Sequence, residues 1–264
     1  MKNLMSYILA DGKGGFDIES ERMVKIQIDN SLEIGWTRQQ IILATDFPYS
    51  YNGVQSVVVE NAETRAGRKI RDINKVGTIL WLYDQGLLDE DIFFHDLDAF
   101  QNHDFLDFPD EQYRPFPLSV APYGDEVPRY NTGCMFFKPS ARPIWKRIYE
   151  QISPIKRRYS GEEAEAALLD LYPPGQQTHV AMLDISYNIF RRNVIQNWLN
   201  CIQPPRIVHF HPMWYRGAYY RLFVLGQNEL KKSLVSERLQ RLMILHIHGE
   251  CMRGKGVFTN RKRR

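Results

Sequence analysis

The chain has 264 residues and a mass of 31.1 kDa, and its 44% hydrophobic and 25% charged content is that of a globular protein with a sizeable core. No run of eighteen apolar residues occurs, and the start MKNLMSYILADGKGG reaches Gly and charge too early for a secretory leader, so a cytoplasmic protein without a membrane span is expected. Cys134, Cys201 and Cys251 are widely spaced without a CxxC, which indicates neither a disulfide framework nor a thiolate zinc site. The net charge of +3 hides an asymmetry: residues 1–132 carry 12 Lys and Arg against 22 Asp and Glu, whereas residues 133–264 carry 22 against 9. A basic second half points to an anionic partner, although charge runs often only solvate a surface.

In chain order, MSYILADG reads as a buried strand that Asp-Gly stops. Apolar residues from Ile18 to Ile34 fall at helical spacing, with Asp17 or Ser20 as cap. Two apolar runs, QQIILATDF and QSVVVE, flank the turn-rich PYSYNG. A helix follows over DINKVGTILWLYDQGLL, with Ile73, Val76, Leu80 and Tyr83 on one stripe, and it leads into DIFFHDLDAF. This order implies a mostly parallel sheet covered by helices. PFPLSVAPYGDEVPRY is too rich in Pro for regular structure, YNTGCMFFKPS is strand-like, and ARPIWKRIYEQI and GEEAEAALLDLY are helical. PPRIVHFHP is a Pro-bounded strand, and residues 228–248 form a last amphipathic helix with Leu230, Leu234, Leu239 and Leu242 inward. The tail RGKGVFTNRKRR, basic throughout, is expected to be a mobile arm.

Ligands of open α/β sheets gather at the carboxyl ends of strands, which is where Asp96 and Asp98 fall if Ile92 to Phe94 form a strand. Their oxygens suit Mg2+ or Mn2+ bound to a diphosphate. A DxD occurs by chance about once in a chain this long. Asp89-Glu90-Asp91, before the same strand, reads as a solvated turn, so position separates the two. His209, at the end of another apolar strand, supplies an imidazole that would complete a two-carboxylate, one-His metal site, with His211 as substitute.

HDLD after an apolar strand, then YNTGCMFFKPS, then IVHF resemble, in that order, the glycogenin-like and galactosyltransferase-like nucleotide-sugar transferases of the GT-A fold. That resemblance implies an α/β, Rossmann-like central sheet over residues 1–227, with a donor side (1–132) and an acceptor side (133–227), and a C-terminal helix and basic tail over 228–264. It implies Asp96, Asp98 and His209 as ligands of Mn2+ or Mg2+, with Ala10, Asp11 and Gly12 near the base of a nucleotide-sugar donor, a UDP-sugar. Lys75 would reach the donor, and Asn131, Thr132 and Gly133 would shape the sugar pocket. Glu165, or else Glu162, would stand where the family places an Asp-Gln pair against the sugar, and so counts with Asp96 and Asp98 as catalytic. The family's Gly and Lys after HF are missing, which leaves Arg216 or Arg221 for the diphosphate. The resemblance implies retention of anomeric configuration; an inverting course would draw a base from Asp125, Glu126 or Asp184.

The basic residues lie on the half that the resemblance makes the acceptor side. Lys156, Arg157, Arg158, Arg191 and Arg192, with Trp214, Tyr215, Tyr219 and Tyr220 for stacking, suggest a polyanionic acceptor. A hydroxylated base in DNA is expected first, as in the DNA-modifying glycosyltransferases of bacteriophages. A bacterial glycan or lipopolysaccharide, with the basic end on an anionic membrane, is the alternative. A nucleotidyltransferase would use the paired aspartates but leave NTG and VHF accidental, and a nonenzymatic nucleic-acid-binding protein would use the basic half alone.

Overall fold

The structure, a computed structural model, describes residues 1–8, 14–60, 71–108, 110–124, 129–153, 163–176, 179–190, 204–209 and 235–251. Its strands are β1 (Lys2–Tyr7), β2 (Ile41–Thr45), β3 (Ser50–Tyr51), β4 (Val54–Val58), β5 (Ile92–His95), β6 (Ala99–Gln101), β7 (Leu118–Pro122), β8 (Tyr130–Phe137), β9 (Val180–Met182), β10 (Ile189–Phe190) and β11 (Ile207–His209). Its α-helices are α1 (Ile18–Ile34), α2 (Arg71–Asp84), α3 (Arg142–Ile152), α4 (Glu163–Leu171) and α5 (Glu237–Cys251).

The central sheet has the order β3-β4-β2-β1-β5-β8-β7-β9. Strands β4, β2, β1 and β5 run parallel, with α1 crossing from β1 to β2 and α2 from β4 to β5, and β8 enters antiparallel to both β5 and β7. Both faces are covered, so the central strands are buried without alternation: β2, β5, β7 and β8 are buried throughout. Leu4, Phe94, Met135 and Phe137 pack with α2, α3 and α4 on one face. Met5, Phe93 and Phe136 pack with α1 and α5 on the other, over a second small sheet β10-β11-β6.

Local chemistry explains the ends of these elements. Asp17 caps α1 by accepting the Ser20 N–H at 2.9 Å. Gly35, at φ 115°, closes the helix with its N–H on the Ser31 and Leu32 carbonyls. Ile18, expected in the apolar stripe, is instead 68% exposed in the first turn. Asn52 and Gly53, both at positive φ, form the two-residue turn joining β3 to β4.

The Pro-rich segment expected to be irregular contains β7, a strand paired on both sides. Its prolines stand outside or at the end of the ladder: the Pro117 carbonyl accepts from Lys138, and Pro122 is the last residue. The buried stretch Leu118 to Ala121 between them therefore loses no interior donor. The short β6 and β9, three residues each, leave no alternation for a sequence pattern to show.

Of the expected last helix, residues 228–234 lie outside the described residues; Leu239 and Leu242 are buried as expected, with Met243, against α1. Each such side chain contributes about 1.5–3 kcal/mol. Polar contacts add specificity: Arg238 donates to Asn30 and Asp104, Arg241 pairs with Glu33, and His246 Nε2 lies 2.7 Å from Asp29 Oδ2. Asp29 also accepts from Tyr51 at 2.9 Å and Asn52 at 2.6 Å, so one carboxylate ties α1, α5 and the β3-β4 turn. Burial by itself would raise its pKa, but the hydrogen bonds from His246, Tyr51 and Asn52 together prevail and hold the carboxyl below its usual value of 3.8. A depressed carboxylate contributes stability that is complete above the unfolded value and lost as pH falls through the lower folded value. Urea midpoints should therefore drop more steeply below about pH 4 for the natural protein than for Asp29→Asn; identical profiles would remove Asp29 from this role.

Candidate metal and donor site

Strand β5 ends at His95, and the chain then turns through Asp96, Leu97 and Asp98 into β6. Gln27, buried on α1, holds this turn by donating from Nε2 to the carbonyls of Leu97 at 3.1 Å and Ala99 at 2.8 Å. His95 Nε2 meets Asn3 Oδ1 at 2.8 Å, and full burial pushes its pKa down to about 4, which leaves a neutral, structural imidazole. Burial likewise pushes the Cys134 thiol up, so this cysteine is an inert core residue.

Opposite the turn, β8 carries Asn131, Thr132 and Gly133. Asp96 N–H donates to the Gly133 carbonyl at 2.9 Å, which extends the β5-β8 ladder. On its other side the pairing of β8 with β7 shifts between Val120–Met135 and Ala121–Asn131, leaving Thr132 to Cys134 out of that ladder. Such an irregularity re-aims side chains, and here it turns the NTG segment to the carboxyl end of the sheet. Asn131 braces the bulge by accepting the Gly133 N–H at 2.8 Å.

His209 arrives by a different path. Strand β11 runs antiparallel to β6 with His209 opposite Ala99, which sets the imidazole beside Asp98. Its Nε2 lies 3.4 Å from Asp98 Oδ1, and both side chains are nearly dry, 3% and 9% exposed. The other ring nitrogen, Nδ1, lies 3.0 Å from Asn188 Oδ1. Asn188 is fully buried and donates from Nδ2 to the Pro122 carbonyl at 2.6 Å, which fixes its amide with the oxygen toward the ring. Nδ1 therefore donates, and Nε2 faces a carboxylate oxygen, a meeting that a proton on the ring or a bound cation would satisfy. Close approach needs Gly133: a Cβ there would sit 2.3 Å from His209 Cε1.

Ligand atoms of Asp96, Asp98 and His209 all lie within 4.8 Å of one another. Octahedral coordination at about 2.1 Å places ligands roughly 3.0 to 4.2 Å apart, so the three fit one hard or borderline divalent ion after small rotations. Asp96, the outermost with its side chain 32% exposed, also bonds Lys75 Nζ at 2.8 Å from Oδ1. Helix α2 runs back along the sheet before β5, so its first turns lie by the strand's carboxyl end. Lys75 also donates to Thr132 Oγ1 at 3.2 Å, and Thr132 donates from N and Oγ1 to Glu165 Oε1 at 3.1 and 2.6 Å. Glu165 Oε2 is buried and makes no hydrogen bond among the described residues.

The structure thus brings together Asp96, Asp98, His209, Lys75, Asn131, Thr132, Gly133 and Glu165. Asp184 stands apart in role, capping a short 3-10 turn through the Ser186 N–H. Ala10, Asp11, Gly12, Arg157, Arg158, Arg191, Arg192, Trp214 and Arg216 lie outside the described residues, as do Glu162, His211, Arg221, Lys156, Asp125, Glu126 and Tyr215, Tyr219 and Tyr220. Sequence reasoning missed Gln27 and Asn188. Each is an amide among apolar neighbours, a pattern that signals an internal hydrogen bond but not its target.

Comparison with solved structures finds the same architecture in glycosyltransferases. Galactosyltransferase LgtC, solved with donor and acceptor sugar analogs, aligns with a TM-score of 0.54 at 12% identity, covering 92% of this chain and 100% of LgtC. A glycosyltransferase involved in glycosylation of the major capsid of PBCV-1 aligns at 0.50 and 14%, covering 83% and 97%. The bifunctional glycosyltransferase WbbM aligns at 0.53 and 10%, covering 93% of this chain and 49% of WbbM. The fold is therefore GT-A, a mixed α/β sheet flanked by helices. Neither a protein-family model nor a curated protein sequence matches the chain.

Two substitutions test the packing of the site. Gly133→Ala should push His209 aside, and Gln27→Leu should orphan the buried carbonyls of Leu97 and Ala99. Each is expected to cost about 1–3 kcal/mol in urea unfolding; a change under about 0.5 kcal/mol would show that the site adapts freely.

Proposed function

We propose that the protein is a metal-dependent glycosyltransferase that moves a sugar from a nucleotide-sugar donor, a UDP-sugar, to an acceptor hydroxyl. The observation that carries this reading is the meeting of Asp96, Asp98 and His209 at the carboxyl end of a GT-A sheet, with ligand atoms near enough to one another to hold one cation. Glycosyl transfer needs stabilisation of a departing diphosphate while positive charge grows at the anomeric carbon. A divalent ion held by the trio would supply a Lewis acid for that diphosphate. The imidazole nitrogen argues for Mn2+ before Mg2+, which prefers oxygen.

The protein's own groups divide the remaining work. Lys75 offers a positive charge to donor oxygens, and Thr132 is held toward it by Glu165. Glu165 commits one oxygen to Thr132, and its place opposite the donor sugar rests on the resemblance. Gln27 and Asn188 hold the DLD turn and the His209 ring, so that little reorganisation is needed when charge develops. A retaining course follows from the resemblance to the glycogenin-like and galactosyltransferase-like enzymes. Ala10, Asp11 and Gly12 are assigned to the base, and Arg216 to the diphosphate, on the same ground.

Two acceptors have support from separate observations. Of the similar proteins, LgtC was solved with an acceptor sugar analog and another acts in capsid glycosylation, which favours a glycan hydroxyl. The basic second half, with Arg157, Arg158, Arg191, Arg192 and Trp214, favours a polyanion, and a hydroxylated base in DNA is that reading's substrate.

UDP binding should be strengthened by Mn2+, and Asp98→Ala should lose sugar transfer by more than the roughly 100-fold typical of outer-shell changes while keeping its circular dichroism spectrum. Absence of metal-enhanced UDP binding would favour a nonenzymatic nucleic-acid-binding protein instead. Labelled UDP-sugars offered with lipooligosaccharide and with hydroxymethylated DNA should label one of them; label in the glycan alone would remove the DNA reading. NMR of the product linkage should show the donor's anomeric configuration, and inversion would discard retention.

A further inference from the structure

Lys75 is more than a surface cation near an acid. Its Nζ straddles the Asp96 carboxylate, 2.8 Å from Oδ1 and 3.1 Å from Oδ2, and the lysine side chain is only 15% exposed. The ammonium is fixed from the other side by Thr132, at 3.2 Å from Oγ1 and 3.4 Å from the carbonyl, and lies 5.5 Å from the centre of the Phe94 ring. Thr132 is in turn held by Glu165. One carboxylate of the metal-ligating trio is therefore already engaged, on both oxygens, by a positive charge with a built seat.

We infer that Lys75 is a resident cation that withholds Asp96 from a divalent ion until the nucleotide arrives, so that metal and donor bind as a coupled pair. This inference rests on the proposed metal and donor site. A divalent ion on Asp96 and Asp98 would sit within a few ångström of the ammonium, and like charges at that range in a half-dry pocket repel strongly. Two carboxylates, the ammonium and the ion leave one positive charge in excess beside the ion, with the Glu165 carboxylate farther back behind Thr132. A diphosphate reverses that excess. It also gives Lys75 new oxygens to bond, while Thr132 holds the side chain on the donor side. Coupling of this kind is reciprocal: what the nucleotide does for the ion, the ion does for the nucleotide.

The test is Mn2+ binding by loss of the free-ion electron paramagnetic resonance signal, with protein alone and with protein plus UDP, each corrected for Mn2+ bound by UDP in solution. The natural protein should bind Mn2+ weakly alone and more tightly with UDP. Lys75→Met, which keeps the stem without the charge, should bind Mn2+ more tightly alone, by roughly the 5- to 150-fold common for coupled sites, and the gain from UDP should shrink by a similar factor. Lys75→Gln should follow Lys75→Met, and Lys75→Arg should restore the natural pattern; thermal melts identify a variant that has failed to fold, for which the other neutral variant decides. If the neutral variants bind Mn2+ no better than the natural protein without UDP, the withholding role is overturned while the transferase reading stands. If the natural protein and the variants take up no Mn2+ with or without UDP, the metal site itself is overturned.

Discussion

His209 Nε2 and Asp98 Oδ1 face each other across 3.4 Å, both almost shut off from solvent. With Asn188 accepting from the opposite ring nitrogen, Nε2 meets the carboxylate favourably when a positive charge joins them, a ring proton or a bound ion. Much of the surrounding architecture makes that meeting possible. The antiparallel register of β6 and β11 sets the residues side by side, Gly133 leaves room for the ring, and Gln27 holds the turn from which Asp98 projects.

From this dry end the site grades outward. Asp98 and His209 are closed in, whereas Asp96 is partly open and shares its charge with Lys75, Thr132 and, through Thr132, Glu165. An ion at the centre would thus have two ligands whose positions are set by packing and one whose partner can change. Rigid ligands favour affinity and geometry; an exchangeable one allows the site to respond to what else is bound. The bulge in β8 is the device that places Thr132 and Gly133 between the two ends.

Farther out, the same offsetting of burial by hydrogen bonds recurs. Asn3, Gln27, Asn30 and Gln101 are buried polar groups whose bonds link α1 to the sheet strands that lead into the site. Trp36 donates to Gln101 and so fixes the chain just beyond α1. Helix α5 packs on α1 through Leu239, Leu242 and Met243, and its Arg238 reaches Asn30 and Asp104. The helix that carries Gln27 is therefore itself held from both sides.

Local pattern was enough for β1, α1, β2, β4, α2, β5, β8, α3 and α4, because their apolar runs and periodicities are set by whether one or both faces are buried. The DLD turn was legible for the same reason: an apolar strand from Ile92 to Phe94 that runs straight into carboxylates sets them at the end of a sheet where ligands gather. β7 was not, since its prolines read as breakers until the neighbouring strands show which amides the ladder needs. Nor could spacing alone reveal that Asn188 orients His209, that Gln27 holds the Leu97 carbonyl, or that Lys75 grips Asp96. By itself the order of residues determined which side chains have the chemistry for a divalent ion and which segments must be buried. Tertiary structure decided which of them meet and which hydrogen-bonding groups each faces, because separations of 21 residues between Asn188 and His209, or 70 between Gln27 and Leu97, are closed by strand register and helix packing rather than by any local preference.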